Sequence, residues 1–153
     1  MELVQASALF SALHLLALAL GLPSVFVRGR ALAHPLDEAG LRRLLRADTL
    51  WGIAALLWIS TGLLRAFGGL EKGSAFYLAS PLFWAKIGLL VVVLLLEIWP
   101  MVTFIRWRIQ RGRGDRFDTT RVRSLVLINQ VQLALVVIMV FLASFISRGV
   151  GLS

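Results

Sequence analysis

The sequence predicts an all-α integral membrane four-helix bundle, and three features of the chain predict it. Hydrophobic residues make up 59% of the 153 residues, and the mean hydropathy is +0.85, which exceeds what soluble domains show. Four apolar stretches each approach or exceed the roughly 20 residues with which a helix crosses a bilayer. Arginines are concentrated between these stretches. The fold class follows from lipid being the solvent for most of the chain.

The apolar stretches define one domain with four spans. The single domain takes up residues 1–153, and its predicted spans cover residues 3–27, 50–67, 81–105 and 124–146. A secretory signal peptide is the alternative for the first span. No basic segment precedes that span, however, and Arg28 and Arg30 follow it where a cleavage site needs small residues. We therefore expect the first span to remain in the membrane.

The basic residues flank the spans unevenly, and this predicts the orientation of the chain. The segments after the first and third spans carry most of the arginines: Arg28, Arg30, Arg42, Arg43, Arg46, Arg106, Arg108, Arg111, Arg113, Arg116, Arg121 and Arg123. The connection between the second and third spans has only Arg65 and Lys72. Basic loops stay in the cytoplasm, so both termini are predicted to lie on the opposite side.

The net charge of +8 raises the question of which partner the basic residues contact. These arginines flank membrane spans and are not interleaved with aromatic residues on a soluble face, so nucleic acid is not predicted as a partner. Phospholipid headgroups of the lipid bilayer are the predicted partners, with a homo-oligomer or a larger membrane complex left open. Cysteine is absent, which excludes disulfides and thiolate metal sites.

The connection between the first two spans is predicted to form its own helix. A proline followed by two acids in residues 34–38 is typical of a helix start. Leu41, Leu44 and Leu45 then share one face, with arginines on the opposite face. This pattern predicts an amphipathic helix on the cytoplasmic surface that leads into the second span.

Glycines and capping residues mark the remaining connections. Glycines in residues 68–73 indicate a flexible turn, and Ser80 followed by Pro81 is typical of a helix N-terminus. Residues 118–120 are predicted to cap the fourth span in the same way. Trp99, Phe104 and Trp107, near the end of the third span, are predicted to anchor the chain at the membrane interface.

Two basic side chains inside the spans are candidates for function, because ionisable groups in lipid cost roughly 2.5 to 3.5 kcal/mol on insertion scales. His14 is either a neutral imidazole bonded to another helix or an axial ligand of haem iron. Lys86 either extends to the interface or, facing the interior, ligates a metal as a neutral amine. The predicted topology places both at similar depth in the outer half of the membrane.

The acidic candidate within a span is Glu97. It shares a helix face with Lys86 but lies about 16 Å further along the axis, in the cytoplasmic half. Asn129 and Gln132 reach a comparable depth and are predicted to hydrogen-bond to it. Glu97 is then either a proton-relay station or a protonated side chain that joins two helices. Two further polar residues bracket the second span and are predicted to be structural: Asp48 and Arg65.

Four segments resemble an uncharacterised bacterial family of four-span membrane proteins, known as a domain of unknown function. They are RADTLWG at 46–52, TGLLR at 61–65, KGSAFY at 72–77 and SPLFWAK at 80–86. Ser80 and Trp51 replace the asparagine and tyrosine that are more usual in that family. The resemblance covers nearly the whole chain. It implies a four-span fold and a location in the bacterial inner membrane, but no activity. In that membrane, the orientation predicted from the basic residues makes both termini periplasmic.

More distantly, the chain is similar to the HemJ-type protoporphyrinogen oxidases, four-span proteins that bind haem b. A histidine in the first span and a lysine early in the third, His14 and Lys86, carry this resemblance. The HemJ pattern places a histidine about eleven residues after the lysine, where this chain has Glu97, and its aromatic-Ala-Gly segment is absent. The resemblance implies an oxidoreductase in which His14 and Lys86 ligate haem iron, while Arg65 or Glu97 serves propionates or protons.

Two hypotheses about function result from the sequence. The leading one is a haem-b-binding, HemJ-like redox membrane protein. The alternative is a non-catalytic small membrane protein or an accessory subunit of a larger membrane complex, in which the buried polar residues only join helices. Copper handling is not predicted, because cysteine is absent and the three methionines are scattered. Hydrolase and nucleotide-binding motifs are also absent from the sequence.

Overall fold

A computed structural model describes residues 2–150, and this part of the chain consists of four long helices and one short helix. The helices are α1 (Glu2–Leu32), α2 (Glu38–Phe67), α3 (Ser74–Ala79), α4 (Pro81–Arg113) and α5 (Val122–Ser147). The four long helices are each long and apolar enough to cross a membrane. The predicted all-α membrane bundle is confirmed. Position 1 and positions 151–153 of the predicted domain lie outside the described residues.

The helices alternate in direction and pack as an incomplete ring. At one end, which we call the terminal end, Ser11 of α1 bonds to Glu71 and Lys72 bonds to the carbonyl of Ser147. At the other, the arginine-rich end, Arg111 of α4 bonds to Glu38 of α2. Helix α1 packs against α2 and α5, and α4 packs against α5, whereas the backbones of α2 and α4 come close at few positions and are joined mainly by long side chains. The gap between them is the α2/α4 cleft.

The predicted surface helix is a correction to the sequence analysis. Residues 38–49 continue without a break into the second span as α2. Leu41, Leu44 and Leu45 are buried in a core cluster together with residues of α1, α4 and α5, and do not lie on the membrane surface. An apolar stripe on a helix can be buried either by lipid or by neighbouring helices. Here the neighbouring helices extend far enough to bury it.

The predicted interfacial aromatics are also corrected. Phe104 is fully buried and Trp107 is 3% exposed, and both belong to the same core cluster at the arginine-rich end. Trp107 lies between Phe104 and Phe117, with ring centroids 5.6 and 5.4 Å away. Trp99 is partly buried against this cluster. Aromatic residues near the end of a span pack in the core when a neighbouring loop and helix cover them.

The helix ends agree with the predicted caps in one connection and differ in another. Ser80 accepts a hydrogen bond from the backbone N–H of Phe83, with Pro81 in the first turn of α4, which confirms the predicted cap. Helix α5 begins only at Val122. Asp118 instead accepts from the N–H of Thr120 in a turn that precedes the helix, so the predicted cap at residues 118–120 is wrong.

The outer surface of the bundle is apolar. Large hydrophobic side chains on every long helix are exposed, for example Leu15, Leu56, Leu95 and Phe141. Such a surface is stable only against acyl chains. The protein is therefore a membrane protein whose helices contact the lipid bilayer.

Candidate ligand cavity and buried ion network

Arg28 is the centre of a polar network inside the bundle. Its position is a further correction, because Arg28 was predicted to lie in a loop, whereas α1 continues to Leu32 and so includes it. The side chain is fully buried, with no exposed surface. Its guanidinium lies 5.8 Å from the ring centroids of both Trp51 and Phe104. A charge at this position is tolerable only if acceptors surround it.

Every N–H group of the Arg28 guanidinium has an acceptor. Nε donates to Asn129 at 2.7 Å. Nη1 donates to Asp48 at 3.1 Å and to Glu97 at 2.7 Å. Nη2 donates to Glu97 at 3.0 Å and to Gln132 at 2.7 Å. A guanidinium has five N–H donors, so its hydrogen-bonding capacity is filled by residues from the three other long helices.

Glu97 is held as a carboxylate by donors alone. Besides the two bonds from Arg28, its Oε2 accepts from the indole of Trp51 at 3.1 Å and from the amide of Gln132 at 2.6 Å. A protonated carboxyl would need an acceptor for its own O–H, and these neighbours offer donors. The hydrogen bonds therefore favour the ionised side chain, rather than the protonated one that the sequence analysis left open.

The network reaches the arginine-rich end through Asp48. One carboxylate oxygen of Asp48 pairs with Arg28, and the other pairs with Arg108 at 2.9 Å. Arg108 also donates to the carbonyl of Leu45 and to the hydroxyl of Thr49. Two arginines and two carboxylates thus form a neutral group that links α1, α2 and α4.

His14 lies in the terminal half of the bundle, where Thr61 is its side-chain hydrogen-bond partner. The Nδ1 atom is 2.9 Å from the hydroxyl oxygen of Thr61. That hydroxyl is also 2.6 Å from the carbonyl of Leu57, and when it donates its proton there, its oxygen is an acceptor for His14. In this arrangement the proton of the neutral ring is on Nδ1, and Nε2 carries the lone pair.

Trp58 connects His14 with Lys86. The His14 ring stacks on the indole of Trp58 with centroids 5.6 Å apart, and Nζ of Lys86 lies 5.7 Å from the Trp58 ring centroid. None of the ion pairs among residues 2–150 includes Lys86. Gly62 lets the imidazole lie close to α2, because a Cβ at that position would be 3.2 Å from the His14 ring.

His14 and Lys86 line two adjoining cavities in the terminal half of the bundle, one among all four long helices and one mainly between α2 and α4. The larger has a volume of about 320 Å³ and reaches Arg65, Glu71 and Tyr77 at the terminal end. The smaller, of about 60 Å³, continues between apolar side chains of α2 and α4. Ligand sites usually start near 300 Å³, so the larger cavity is in the range of a binding site.

Polar residues at the mouth of the larger cavity are bonded to one another. Arg65 pairs with Glu71 at 2.6 Å, and the Tyr77 hydroxyl donates to the other Glu71 oxygen at 2.6 Å. Burial opposes ionisation of Glu71, but the bonds from Tyr77 and Arg65 outweigh it and lower its pKa. Burial and the Glu71 carboxylate together raise the pKa of Tyr77. The mouth therefore keeps Glu71 anionic and Tyr77 protonated.

The candidate residues named from the sequence fall into two separate groups. His14, Lys86 and Arg65 line the cavity, whereas the other four belong to the Arg28 network: Asp48, Glu97, Asn129 and Gln132. Within the described residues, no cluster of three or more histidines and acids could hold a metal ion.

Arg28 was not predicted as the centre of the network, although the sequence contains a signal for its burial. Ala17, Gly21, Ser24 and Arg28 recur at spacings of four, three and four, and all are buried. This is the spacing of one helix face, so Arg28 continues a stripe of small residues that packs against other helices. Thr61 had no comparable signal, because only the structure brings it to His14.

A comparison with protein families assigns the chain to a family. Residues 6–151 match the family model described as predicted membrane protein DUF2214. The chain belongs to the DUF2214 family. This membership agrees with the four-span bundle, and it confirms the uncharacterised membrane family expected from the sequence. No curated protein and no solved structure matches the chain.

Proposed function

We propose that this DUF2214 protein binds a haem b at the α2/α4 cleft, with His14 as the axial ligand, and serves a redox function in the membrane. The observation that carries the proposal is the hydrogen bond between Nδ1 of His14 and Thr61. Histidines that ligate iron donate the N–H of one ring nitrogen to a neighbouring acceptor and present the other nitrogen to the metal. The bond from Nδ1 of His14 to Thr61 leaves Nε2 in that state.

Other residues around the cavity suit the same ligand. Lys86 has an amine without an ion-pair partner among residues 2–150, which is available as a second ligand or as a partner for a carboxylate. Arg65 donates to Glu71 at the mouth and has further N–H groups for a propionate. Haem iron, when bound, would supply one-electron chemistry, while these side chains bind and orient it.

The size of the cavity places a condition on this proposal. A tetrapyrrole is larger than a cavity of about 320 Å³, so its edge would extend between α2 and α4 towards the acyl chains. In this half of the bundle, aromatic and cation–π contacts join the two helices, such as Phe67 with Phe83 at 6.2 Å. None of the hydrogen bonds within residues 2–150 joins α2 to α4 there, so a separation of these two helices would break apolar contacts but no hydrogen bond between them.

The experiment is an absorption spectrum of the purified protein, reconstituted with haem. We expect a Soret band that His14→Ala abolishes and His34→Ala preserves, because His34 bonds to the backbone of Arg30 at the opposite end of α1. Added imidazole should restore the band in His14→Gly, since it fills the space of the lost side chain. A wild-type protein that stays colourless after supplementation would refute the proposal.

The same proposal includes a location and an orientation. We infer a bacterial inner membrane protein with the arginine-rich end in the cytoplasm, because basic loops are retained there. The cavity mouth and both termini would then face the periplasm. The chain contains no cysteine, so Ser74→Cys and Arg116→Cys each provide one thiol. An impermeant maleimide should label only Ser74→Cys in intact cells, and labelling of Arg116→Cys alone would invert the topology.

A further inference from the structure

A second concave site lies at the arginine-rich end of the α2/α4 cleft. It is an open groove of about 970 Å³, whose charged lining residues are Arg42, Arg46, Arg108, Arg111 and Glu38. Four cations therefore face one anion. The haem proposal does not use this groove, and it lies at the other end of the bundle from His14.

Three of the four groove arginines are held in place by carboxylates, and all four keep donors available. Glu38 bonds to both Arg42 and Arg111, and Asp48 holds Nη2 of Arg108. Arg46 is in none of the ion pairs among residues 2–150. A guanidinium has five N–H donors, so each arginine retains several for a ligand. Planar guanidinium groups in this arrangement suit phosphate oxygens.

The position of the groove indicates where such a phosphate would come from. Leu45 and Leu50 form part of the groove wall, and exposed Ile53 and Ile105 lie about one turn further along α2 and α4 towards the bilayer centre. A phosphate bound to the arginines would thus lie next to an apolar strip of surface, which runs along the gap between the backbones of α2 and α4. A soluble anion would leave that path uncovered, whereas acyl chains would cover it.

We propose that this groove is a binding site for one anionic phospholipid, with its phosphate on Arg46, Arg108 and Arg111 and an acyl chain along the α2/α4 cleft. Basic pockets between membrane helices bind anionic headgroups in this way. The site is independent of the haem proposal, so a colourless protein would leave it standing.

Two measurements test the lipid site. Native mass spectrometry of the protein taken from membranes should show one retained anionic phospholipid per chain. In phosphatidylcholine nanodiscs, titration with phosphatidylglycerol should raise the melting temperature of the wild type. Arg46→Gln/Arg111→Gln should weaken the apparent affinity by about 25-fold, since each arginine near a lipid surface contributes about 1 kcal/mol, or about fivefold.

The control removes the same charge from the same end of the bundle. Arg116→Gln/Arg123→Gln changes two exposed residues outside the groove, and it should retain the affinity of the wild type and the bound lipid. Equal losses in both double variants would reduce the effect to general surface charge and overturn the site. Equal protection by inorganic phosphate would assign the groove to a soluble anion, and absence of a retained lipid would also overturn the proposal.

Discussion

Replacement of Arg28 tests whether the buried network holds the bundle together. Arg28→Met preserves much of the side-chain length but removes five hydrogen bonds and leaves Asp48 and Glu97 without their shared cation. Interhelical hydrogen bonds in membranes contribute about 0.6 kcal/mol each, which gives about 3 kcal/mol for five. Loss of one partner from a buried ion pair costs about 3–5 kcal/mol. We therefore expect the free energy of unfolding to fall by about 3–5 kcal/mol.

The assay is equilibrium unfolding in mixed micelles of increasing dodecyl sulfate fraction, followed by tryptophan fluorescence, to which Trp51 in the network contributes. Arg30→Met is the matched control, because Arg30 lies two residues away on the same helix and is exposed. Arg28→Met/Glu97→Gln should recover part of the lost stability, since the uncompensated carboxylate is gone. Equal unfolding midpoints for Arg28→Met and Arg30→Met would refute the role of the network.

Two further predictions concern the terminal half of the bundle. Thr61→Val should weaken haem binding by about 10- to 100-fold without loss of the fold, because it removes the acceptor that fixes the His14 tautomer; a full-strength Soret band in Thr61→Val would contradict this. The lowered pKa of Glu71 means that its contribution to stability is complete above its unfolded pKa of about 4.5 and disappears as the pH falls below that value. The melting temperature of Glu71→Gln should therefore depend less on pH between about 5 and 3 than that of the wild type, and parallel curves would contradict the assignment.

The sequence was sufficient for the spans but not for the environment of individual polar residues. Apolar runs of sufficient length specify membrane helices because lipid requires every backbone group to be bonded internally. That constraint does not say where a helix ends beyond the apolar run, and so Arg28 was assigned to a loop. The same limitation applies to Leu44 and Phe104, whose apolar side chains are compatible with either lipid or core until the neighbouring helices are placed.

For the candidate site, too, the sequence predicted the buried polar residues but not their surroundings. The cost of an ionisable group in lipid directed attention to His14, Lys86 and Glu97 from the sequence alone. Their partners, however, come from other helices, at separations of 47 residues for His14 with Thr61 and 69 for Glu97 with Arg28. No local pattern encodes such pairs. The sequence therefore predicted which polar residues are buried in the membrane, but their hydrogen-bond partners became known only from the packing of the helices.

The Arg28 network and the cavities at His14 are related by the different contacts that join α2 to α4 in the two halves of the bundle. In the arginine-rich half, Asp48 and Trp51 of α2 are tied to Glu97 of α4, directly or through Arg28. In the terminal half, where the cavities lie, the two helices contact through aromatic rings and Lys86. Hydrogen bonds join α2 to α4 in the arginine-rich half, and apolar contacts join them in the terminal half. The network would therefore act as a hinge about which the α2/α4 cleft widens. A ligand that enters from the membrane would thus separate α2 from α4 between Trp58 and Lys86 without breaking a salt bridge.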